Sequence, residues 1–374
     1  MLPGVGVFGT GKLLEAVVPH LRSLGFRVVA LWGQTLEDAG NVAGSLHIDY
    51  FTSRIDDVLL HKDVDLVLVL SPPSLQSQIA VKAMGIGKHV VCDRPAGLCQ
   101  SELLKMVLAA QYYPSLLSVV GYGLRYLPAV RQLRQAVRDG YVGDVRLVEV
   151  RVTCGSLLEG AGYSWLCEPA MGGGLLSLIG SGVVDLVSHV IGQRARRVHG
   201  TLRTYTRQTR LIAGIRHVGS DDFCTFQMEM DGGALVTVSL NAHLSGLQQE
   251  VVVCGDWGHL TVRGADLLGF RAGQHETLHR AAPGEAAAPP LPEAGPQPAL
   301  HAAGLLRLLA AVAHSFADGE PLTDAASFQD GQYVAAVLEA VRVSAATQAW
   351  TQVNIRSRML ETNYLGMALK AADA

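Results

Sequence analysis

Residues 4–15, GVGVFGTGKLLE, decide the fold of the N-terminal part of this chain. A run of β-branched and aromatic residues ends at Gly9, and a helical stretch begins after Gly11. Gly9 permits a tight turn, and Gly11 lets the backbone approach a pyrophosphate that the free N–H groups of the following helix would bind. The third glycine of the usual G-x-G-x-x-G pattern is Leu14 here, so a glycine turn that binds nothing is the alternative.

The residues around this turn alternate between short apolar strands and helices. Residues 26–33, 65–71 and 89–93 are the next clear strands, and each is apolar almost throughout. Uniformly apolar strands between helices imply a parallel sheet that is covered on both faces. The pattern predicts an α/β fold that begins with a doubly wound Rossmann domain over residues 1–121.

Beyond residue 121 the strands become longer and alternate between apolar and polar residues, with Gly pairs and Asp-Gly between them. This pattern predicts an α+β domain over residues 122–350, with an open, mostly antiparallel sheet and one helix near residues 174–192. The other predicted segments are a Pro- and Ala-rich loop at 271–303, helices at 304–348 and a helix or tail at 351–374.

Composition excludes several classes of function. The chain has 374 residues, 49% hydrophobic content and a net charge of -3, which suits two domains and gives no basic face for nucleic acid. Six scattered cysteines without a C-x-x-C pair predict no zinc site and favour a reducing compartment.

The sequence predicts neither a membrane-spanning segment nor a signal segment. No apolar run reaches the roughly 20 residues that span a bilayer, so we expect no membrane association. The apolar N-terminus lacks a basic region and is interrupted by Lys12 and Glu15, so we expect a cytoplasmic protein. Secretion is the alternative, if this N-terminus acts as a signal.

Four stretches, in order along the chain, carry a resemblance to a known family. They are GTG at 9–11, SPPSLQ at 71–76, GKHVVCDRPAG at 87–97, and GLRYLPAVRQLRQAVRDGYVGDV at 123–145 before MGGG. The chain resembles the glucose–fructose oxidoreductase, inositol dehydrogenase and rhizopine-catabolism (MocA) family of NAD(P)-dependent sugar oxidoreductases. It is most similar to the vertebrate glucose-fructose oxidoreductase domain-containing group, on phrases such as YFTSRIDDVLLHKDVDLV, GIRHVGSDDFCTFQM and RGADLLG.

The resemblance implies a dinucleotide site and a substrate cleft above the nicotinamide. The implied cofactor-binding residues are Phe8, Gly9, Thr10, Gly11, Lys12, Leu13, Trp32, Gly33, Gln34, Thr35, Ser71, Pro72, Pro73, Gln76, Asp93, Arg94 and Pro95. The implied frame of the substrate cleft is Arg125, Trp165, Gly172, Gly173 and Gly174.

The end of the second strand bears on the choice of cofactor. An acidic residue normally lies there and binds the ribose hydroxyls of NAD. This chain has Trp32-Gly33-Gln34-Thr35 instead, which slightly favours NADP over NAD.

The family's acid–base side chains are the part that this chain lacks. The resemblance places an Asp, a His and an Asp at positions where this sequence has Leu178, Gly182 and Asp185. Arg94 replaces the family's lysine and keeps the charge, but it cannot release a proton at working pH. Arg94 and Asp185 are therefore the remaining catalytic candidates, and a surface Asp-Arg-Pro turn is the alternative for Arg94.

Other polar side chains are weaker candidates. Tyr163 or Tyr126 would have to carry the proton in an active enzyme, and Gln76 replaces a histidine of active relatives. We interpret His189 as a structural histidine near a helix C-terminus, and the pair at 221–222 as part of a turn.

Three functions follow as alternatives. The first is a cofactor-binding member of the family that is weakly active or inactive. The second is an active NADP-dependent oxidoreductase on a sugar, polyol or small carbonyl. The third is a non-catalytic scaffold that acts through its second sheet, and in all three we expect a homodimer or tetramer through that sheet, on an apolar uncovered face.

Overall fold

The computed structural model describes residues 2–158, 162–208, 217–281 and 299–357. Its N-terminal part is a six-stranded sheet in the order β3-β2-β1-β4-β5-β6, and every neighbouring pair is parallel. The strands are β1 (Gly4–Phe8), β2 (Arg27–Trp32), β3 (Tyr50–Thr52), β4 (Leu66–Val69), β5 (His89–Cys92) and β6 (Ser118–Val120). The helices are α1 (Leu14–Ser23), α2 (Leu36–Leu46), α3 (Ile55–Leu59), α4 (Pro73–Gly85) and α5 (Gln100–Tyr112).

This strand order confirms the predicted doubly wound Rossmann fold. The chain reverses its direction of winding between β1 and β4, and ligands bind beyond the carboxyl ends of the strands at such a point. All five residues of β1 are buried, as a central parallel strand requires.

The second part is a nine-stranded sheet in the order β14-β13-β12-β11-β7-β10-β9-β8-β15. Only β7 and β10 are parallel neighbours, so the predicted mostly antiparallel sheet is confirmed. Its strands are β7 (Val145–Thr153), β8 (Ala195–Arg203), β9 (Phe223–Met230), β10 (Leu235–Asn241), β11 (Gln248–Gly255), β12 (Gly258–Arg263), β13 (Asp266–Arg271), β14 (Gln274–His279) and β15 (Thr351–Gln352). The helices are α6 (Pro128–Arg138), α7 (Ser181–Ile191), α8 (Ala299–Asp318) and α9 (Phe328–Thr347).

The predicted loop at 271–303 is wrong at both of its ends. β14 pairs with β13, and α8 begins at Ala299. The sequence does not reveal these two elements, because β14 is polar and the start of α8 is rich in alanine, like the loop between them. Residues 282–298 and 358–374, which hold the rest of this loop and most of the predicted tail, lie outside the described residues.

The expectation of an apolar, uncovered face on the second sheet is also wrong. Val148, Val150 and Val152 of β7 point into the core, and alternate residues on the neighbouring strands do the same. The opposite face carries exposed or half-buried polar residues, including Glu149, Arg151, Arg197, Thr201, Thr225, Gln227, Glu229, Thr237 and Ser239.

Helix α8 packs back against the first sheet. Leu305, Leu308 and Val312 belong to the same buried cluster as Val5 and Val7 of β1. The ring of His20 in α1 also makes a 2.9 Å hydrogen bond between its Nε2 and the carbonyl oxygen of Leu306. A C-terminal helix therefore covers part of the Rossmann sheet and comes close to the carboxyl ends of its strands.

Within the described residues, two helical segments are long and apolar enough to span a membrane, contrary to the expectation from the sequence. They are the segments Pro169–Ile191 and Ala299–Asp318, with mean hydropathies of 1.7 and 1.4. In the fold, 83% and 50% of their most apolar windows are buried inside the protein, which is what core helices of this composition do.

Candidate dinucleotide-binding cleft

A cavity of about 370 Å³ lies beyond the carboxyl ends of β1, β2, β4 and β5. This is the place where the strand order predicts a ligand. Its lining consists of Gly9, Thr10, Gly11, Lys12, Leu13, Leu14, Trp32, Gln34, Leu70, Ser71, Pro72, Pro73, Gln76, Asp93, Arg94, Trp165, Leu166 and Leu178. Most of the predicted cofactor-binding residues are therefore brought together, from stretches that begin at Gly9 and end at Arg94.

The glycine turn has the geometry that a dinucleotide needs. Gly9 has a φ of +139°, and a Cβ there would lie 2.8 Å from the carbonyl oxygen of Leu70, so only glycine fits. Gly11 has no neighbouring atom within 4 Å of its Cβ position, which leaves its backbone open to the cavity. Helix α1 follows directly, so its N-terminus is available to an anion.

Of the predicted residues at the end of β2, some line the cavity and the others have structural contacts only. Trp32 and Gln34 line the cavity, and the indole of Trp32 donates a 3.0 Å hydrogen bond to Ser53. Thr35 instead caps α2 by accepting a hydrogen bond from the amide of Asp38. Gly33 packs tightly against Thr10 and Ala39.

Phe8 does not line the cavity either. It is fully buried, and its ring lies 5.9 Å from that of Trp32. Its part in cofactor binding is therefore limited to supporting Trp32.

The segment after β4 is held by a buried side chain. The amide of Gln76 donates a 2.9 Å hydrogen bond to the carbonyl of Ser71, and its oxygen accepts one from the thiol of Cys92. Gln76 thus fixes the turn that carries Pro72 and Pro73 into the cavity.

Arg94 is the buried cation of the cleft. It follows β5, its peptide bond to Pro95 is cis, and its guanidinium donates a hydrogen bond to the carbonyl of Leu178. Burial lowers the pKa of Arg94, and the neighbouring Asp93 and Tyr122 oppose that shift. Arg94 lines the cavity as a fixed donor, whereas Pro95 lies in a separate small cavity.

The three glycines of the cleft frame are needed for close packing. A Cβ on Gly172 would lie 2.8 Å from Pro73, and one on Gly173 would lie 2.3 Å from the carbonyl oxygen of Leu166. A Cβ on Gly174 would lie 2.2 Å from Asp221. The glycines bring the segment of Trp165 and Leu166 against the cavity but do not line it themselves.

Asp185 and Arg125 pair with each other away from the cavity. Arg125 donates two hydrogen bonds to the Asp185 carboxylate, at 2.8 and 2.5 Å. Burial alone would lower the pKa of Arg125, but Asp185 and Asp330 raise it above its ordinary value. Neither of these two predicted site residues faces the cleft, and their chemistry is used in a buried ion pair.

The space beside Gly182 contains a side chain that the sequence did not reveal. A Cβ on Gly182 would lie 2.7 Å from Cε1 and 3.3 Å from Nδ1 of His301 in α8. His301 is 4% exposed, and neither of its ring nitrogens has a hydrogen-bond partner among the described residues. Burial and the nearby Arg94 hold the pKa of His301 well below its ordinary value, so the ring is neutral.

The position of His301 depends on two glycines. Gly304, one turn further along α8, meets Gly123 so closely that a Cβ on Gly304 would lie 2.5 Å from the Gly123 carbonyl carbon. This close approach places α8 against the helical turn Gly123–Tyr126, and His301 lies about one turn earlier in α8, beside Gly182. The signal that could have identified His301 is its spacing from Gly304 and Leu308, which puts all three on one face of a helix.

The other polar candidates have structural roles. Tyr126 donates a hydrogen bond to the carbonyl of Thr323 and Tyr163 donates one to Glu168, both at 2.9 Å. The carboxylates of Asp221 and Asp222 accept hydrogen bonds from backbone amides. Within the part of the chain that the structure describes, no group of His, Cys, Asp and Glu has a metal-binding arrangement.

The fold, the glycine turn and the cavity together identify the class of protein. The fold and cleft define a Rossmann-type protein with a site for a nicotinamide dinucleotide. A model of the oxidoreductase family with an NAD-binding Rossmann fold matches residues 4–120, and a model of the GFO/IDH/MocA C-terminal domain matches residues 130–261. The chain belongs to the GFO/IDH/MocA family of oxidoreductase-fold proteins.

Relatives cover almost the whole chain. Human glucose-fructose oxidoreductase domain-containing protein 2 is 46% identical over 97% of this chain and 96% of its own length. Glucose-fructose oxidoreductase domain-containing protein 1 of Xenopus tropicalis is 43% identical over 95% of this chain and 93% of its own.

Solved structures share the fold. An oxidoreductase domain protein from Kribbella flavida has a TM-score of 0.79 at 25% identity, covering 94% of this chain and 99% of its own. Levoglucosan dehydrogenase in complex with NADH and levoglucosan has a TM-score of 0.81 at 20% identity, covering 95% and 100%. At that identity the second likeness shows the fold alone.

Proposed function

We propose that this protein binds NADP(H) in the cleft and transfers hydride far more slowly than ordinary dehydrogenases do. One observation carries the proposal: Leu178 lines the cavity where the resemblance places an acid, and Asp185 is engaged by Arg125. The frame of a dinucleotide site is present, but Leu178 and Gly182 stand where the resemblance places the Asp and the His that would move a proton.

Cofactor binding is supported by the residues that face the cavity. Gly11 offers an open backbone next to the N-terminus of α1, and Lys12 adds a positive charge there. Both features attract a pyrophosphate. When bound, the nicotinamide would supply the hydride chemistry, and Trp165 and Leu166, which line the cavity, would help to exclude water from it.

Preference for NADP is supported by the end of β2. Gln34 lines the cavity there and carries no charge that would repel a 2′-phosphate. Gln34→Glu is the matched test, because a carboxylate binds ribose hydroxyls and repels the phosphate. We expect the ratio of NADPH to NADH affinity to fall about tenfold or more, and an unchanged ratio would overturn the preference.

Proton transfer is the step that the cleft does not support. General acid–base groups typically contribute about 10²–10⁴-fold to an enzymatic rate. Arg94 can orient an anion or a carbonyl oxygen, but its guanidinium stays protonated at working pH. Asp93 is the remaining carboxylate in the lining, so Asp93→Asn is the variant that shows whether any residual turnover depends on it.

Hydride transfer is tested with a panel of sugars, inositols and anhydrosugars with NADP and NAD. We expect turnover well below about 1 s⁻¹, the lower end of the ordinary enzyme range. Saturable cofactor binding by the same sample shows that a slow rate is not a failure to fold. Turnover in the ordinary range would contradict the proposal.

His301 favours a second candidate function, an active oxidoreductase. A buried, neutral imidazole lies beside Gly182 and near Arg94, and neither of its nitrogens has a hydrogen-bond partner in the part of the chain that the structure describes. Such a ring could take up a hydroxyl proton if α8 shifts when a substrate binds. In that case His301→Ala abolishes turnover while cofactor affinity stays unchanged, and Asp93→Asn retains turnover.

A homodimer through the polar face of the second sheet is the assembly that we propose. Its support is the family resemblance together with cross-strand pairs such as Arg197–Glu229, at 2.7 Å, which present complementary charges on that face. We also propose a cytoplasmic location, supported by six cysteines that are all free thiols.

A further inference from the structure

A second cavity, of about 350 Å³, shares no lining residue with the dinucleotide-binding cleft. It lies between α6, α7, the start of β8 and α9. Its charged lining residues are Arg125, Arg134, Arg138, Arg194, Asp185 and Asp330. We call it the arginine cavity.

The floor of the arginine cavity is rigid. The buried Arg125 is tied to Asp185 by two hydrogen bonds and lies 3.4 Å from Asp330. Beside them the Tyr333 hydroxyl accepts a hydrogen bond from the amide of Ala195 and lies 3.0 Å from the Ser188 hydroxyl. A preorganised polar floor lowers the entropy that is lost when a ligand binds.

The charges around this floor do not cancel. Four arginines line the cavity with two carboxylates, and Asp324 outside the lining pairs with Arg134. Arg194 pairs with Asp330 at 3.1 Å. Within the described residues Arg138 forms no ion pair, so its guanidinium is the donor left for a ligand.

The positive charges around the cavity affect the pKa of His189. Burial, together with Arg125, Arg134 and Arg138, lowers the pKa of His189 to about 3, and Asp324 only partly opposes this. The imidazole is therefore neutral at physiological pH. It adds hydrogen-bonding capacity to the cavity without adding charge.

One further donor lacks a partner. Nε of Arg134 is buried and has no hydrogen-bond partner among the described residues. A buried donor without a partner is unfavourable.

From this arrangement we propose that the arginine cavity binds a small oxyanion ligand, a phosphate ester or a carboxylate, with Arg138 as the principal contact. Arginine is the side chain best matched to such groups, because its planar fork pairs with two oxygens at once. The volume suits a ligand of a few carbon atoms and one or two anionic groups. This proposal does not depend on whether the first cleft binds a dinucleotide.

The test uses inorganic phosphate and citrate as probes of the two anion types, with the thermal midpoint of the full chain as readout. Sodium chloride at matched ionic strength is the control for general screening. We expect a saturable rise in midpoint with at least one of the two anions and not with chloride. Phosphate alone would identify a phosphoryl ligand, and citrate alone a carboxylate ligand.

Three variants show which of the two cavities binds the anion. Arg138→Gln should need about tenfold more anion for the same rise, as expected for the loss of one charge-assisted contact. Arg27→Gln removes an exposed arginine at the N-terminal end of β2 that lines neither cavity, and this variant should behave like the wild type. Lys12→Gln reports anion binding in the first cleft.

Two results would overturn the proposal. The first is a rise that chloride reproduces, or no rise with either anion. The second is a saturable rise that Lys12→Gln weakens and Arg138→Gln does not, because the anion then binds at the glycine turn instead.

Discussion

The contact between Gly182 and His301 can be tested by Gly182→Ala, which adds one methyl group. In Gly182→Ala the new Cβ would lie 2.7 Å from Cε1 of His301, closer than real Cβ atoms come to other atoms. Overpacking of this kind costs about 1–3 kcal/mol. Alanine in a helix gains about 0.5–1 kcal/mol over glycine. We therefore expect the variant to be less stable by about 1 kcal/mol, within the range of about 0–2.5 kcal/mol that these two effects allow.

The matched control is Gly44→Ala in α2. Gly44 is also helical, and no atom lies within 4 Å of its Cβ position. This change should stabilise the protein by about 0.5–1 kcal/mol, because only the helical preference acts.

Urea unfolding followed by circular dichroism compares the two variants with the wild type. Removing the imidazole in the double variant Gly182→Ala with His301→Ala should relieve the clash, with a coupling energy of about 1–3 kcal/mol. If Gly182→Ala gains stability as Gly44→Ala does, the ring of His301 does not fill this space and the reasoning is refuted.

Three further predictions follow from the buried charges and the second sheet. Asp185→Asn leaves Asp330, at 3.4 Å, as the remaining ionised partner of Arg125 and should destabilise the fold by about 3 kcal/mol in urea unfolding, the lower end of the range for a broken buried pair; a loss below about 1 kcal/mol would show that the pair is not buried as described. His189 has a lowered folded-state pKa of about 3, so its contribution to stability is present above its ordinary pKa of 6.5 and is lost as the pH falls from there toward 3. His189→Gln should flatten that part of the melting profile, and an equally steep profile would mean that other groups cause the loss. Light scattering at micromolar concentration should give twice the 39.7 kDa chain mass, and the single-chain mass would rule out the proposed dimer.

The sequence predicts the elements whose signals are local. The strand–GTG–helix order at residues 4–15 is enough to place a dinucleotide turn at the end of β1, since the glycines and the apolar run are adjacent. The stretches after β4 and β5 reach the same cavity because parallel strands end at one edge of a sheet. The Rossmann fold and its turn can therefore be predicted from local sequence signals alone.

The parts that were missed depend on contacts between distant residues. Nothing near Gly182 indicates that His301, from a helix 119 residues later, fills the space beside it. Arg125 and Asp185 looked like separate site residues because an ion pair across 60 residues leaves no pattern in the sequence. The polar face of the second sheet is hard to recognise in runs such as ALVTVSLNAHL, because the threonine and serine at its outward positions are small and weakly polar.

Binding of a nicotinamide dinucleotide in the cleft can be measured by a fluorescence titration. Trp32 and Trp165 both line the cavity, so NADPH bound there accepts energy from excited tryptophan and emits at its own wavelength. We expect a saturable signal that competing NADP⁺ removes and that falls in Trp165→Phe. The absence of any saturable signal, together with an unchanged melting temperature in the presence of NADPH and NADH, would contradict the claim.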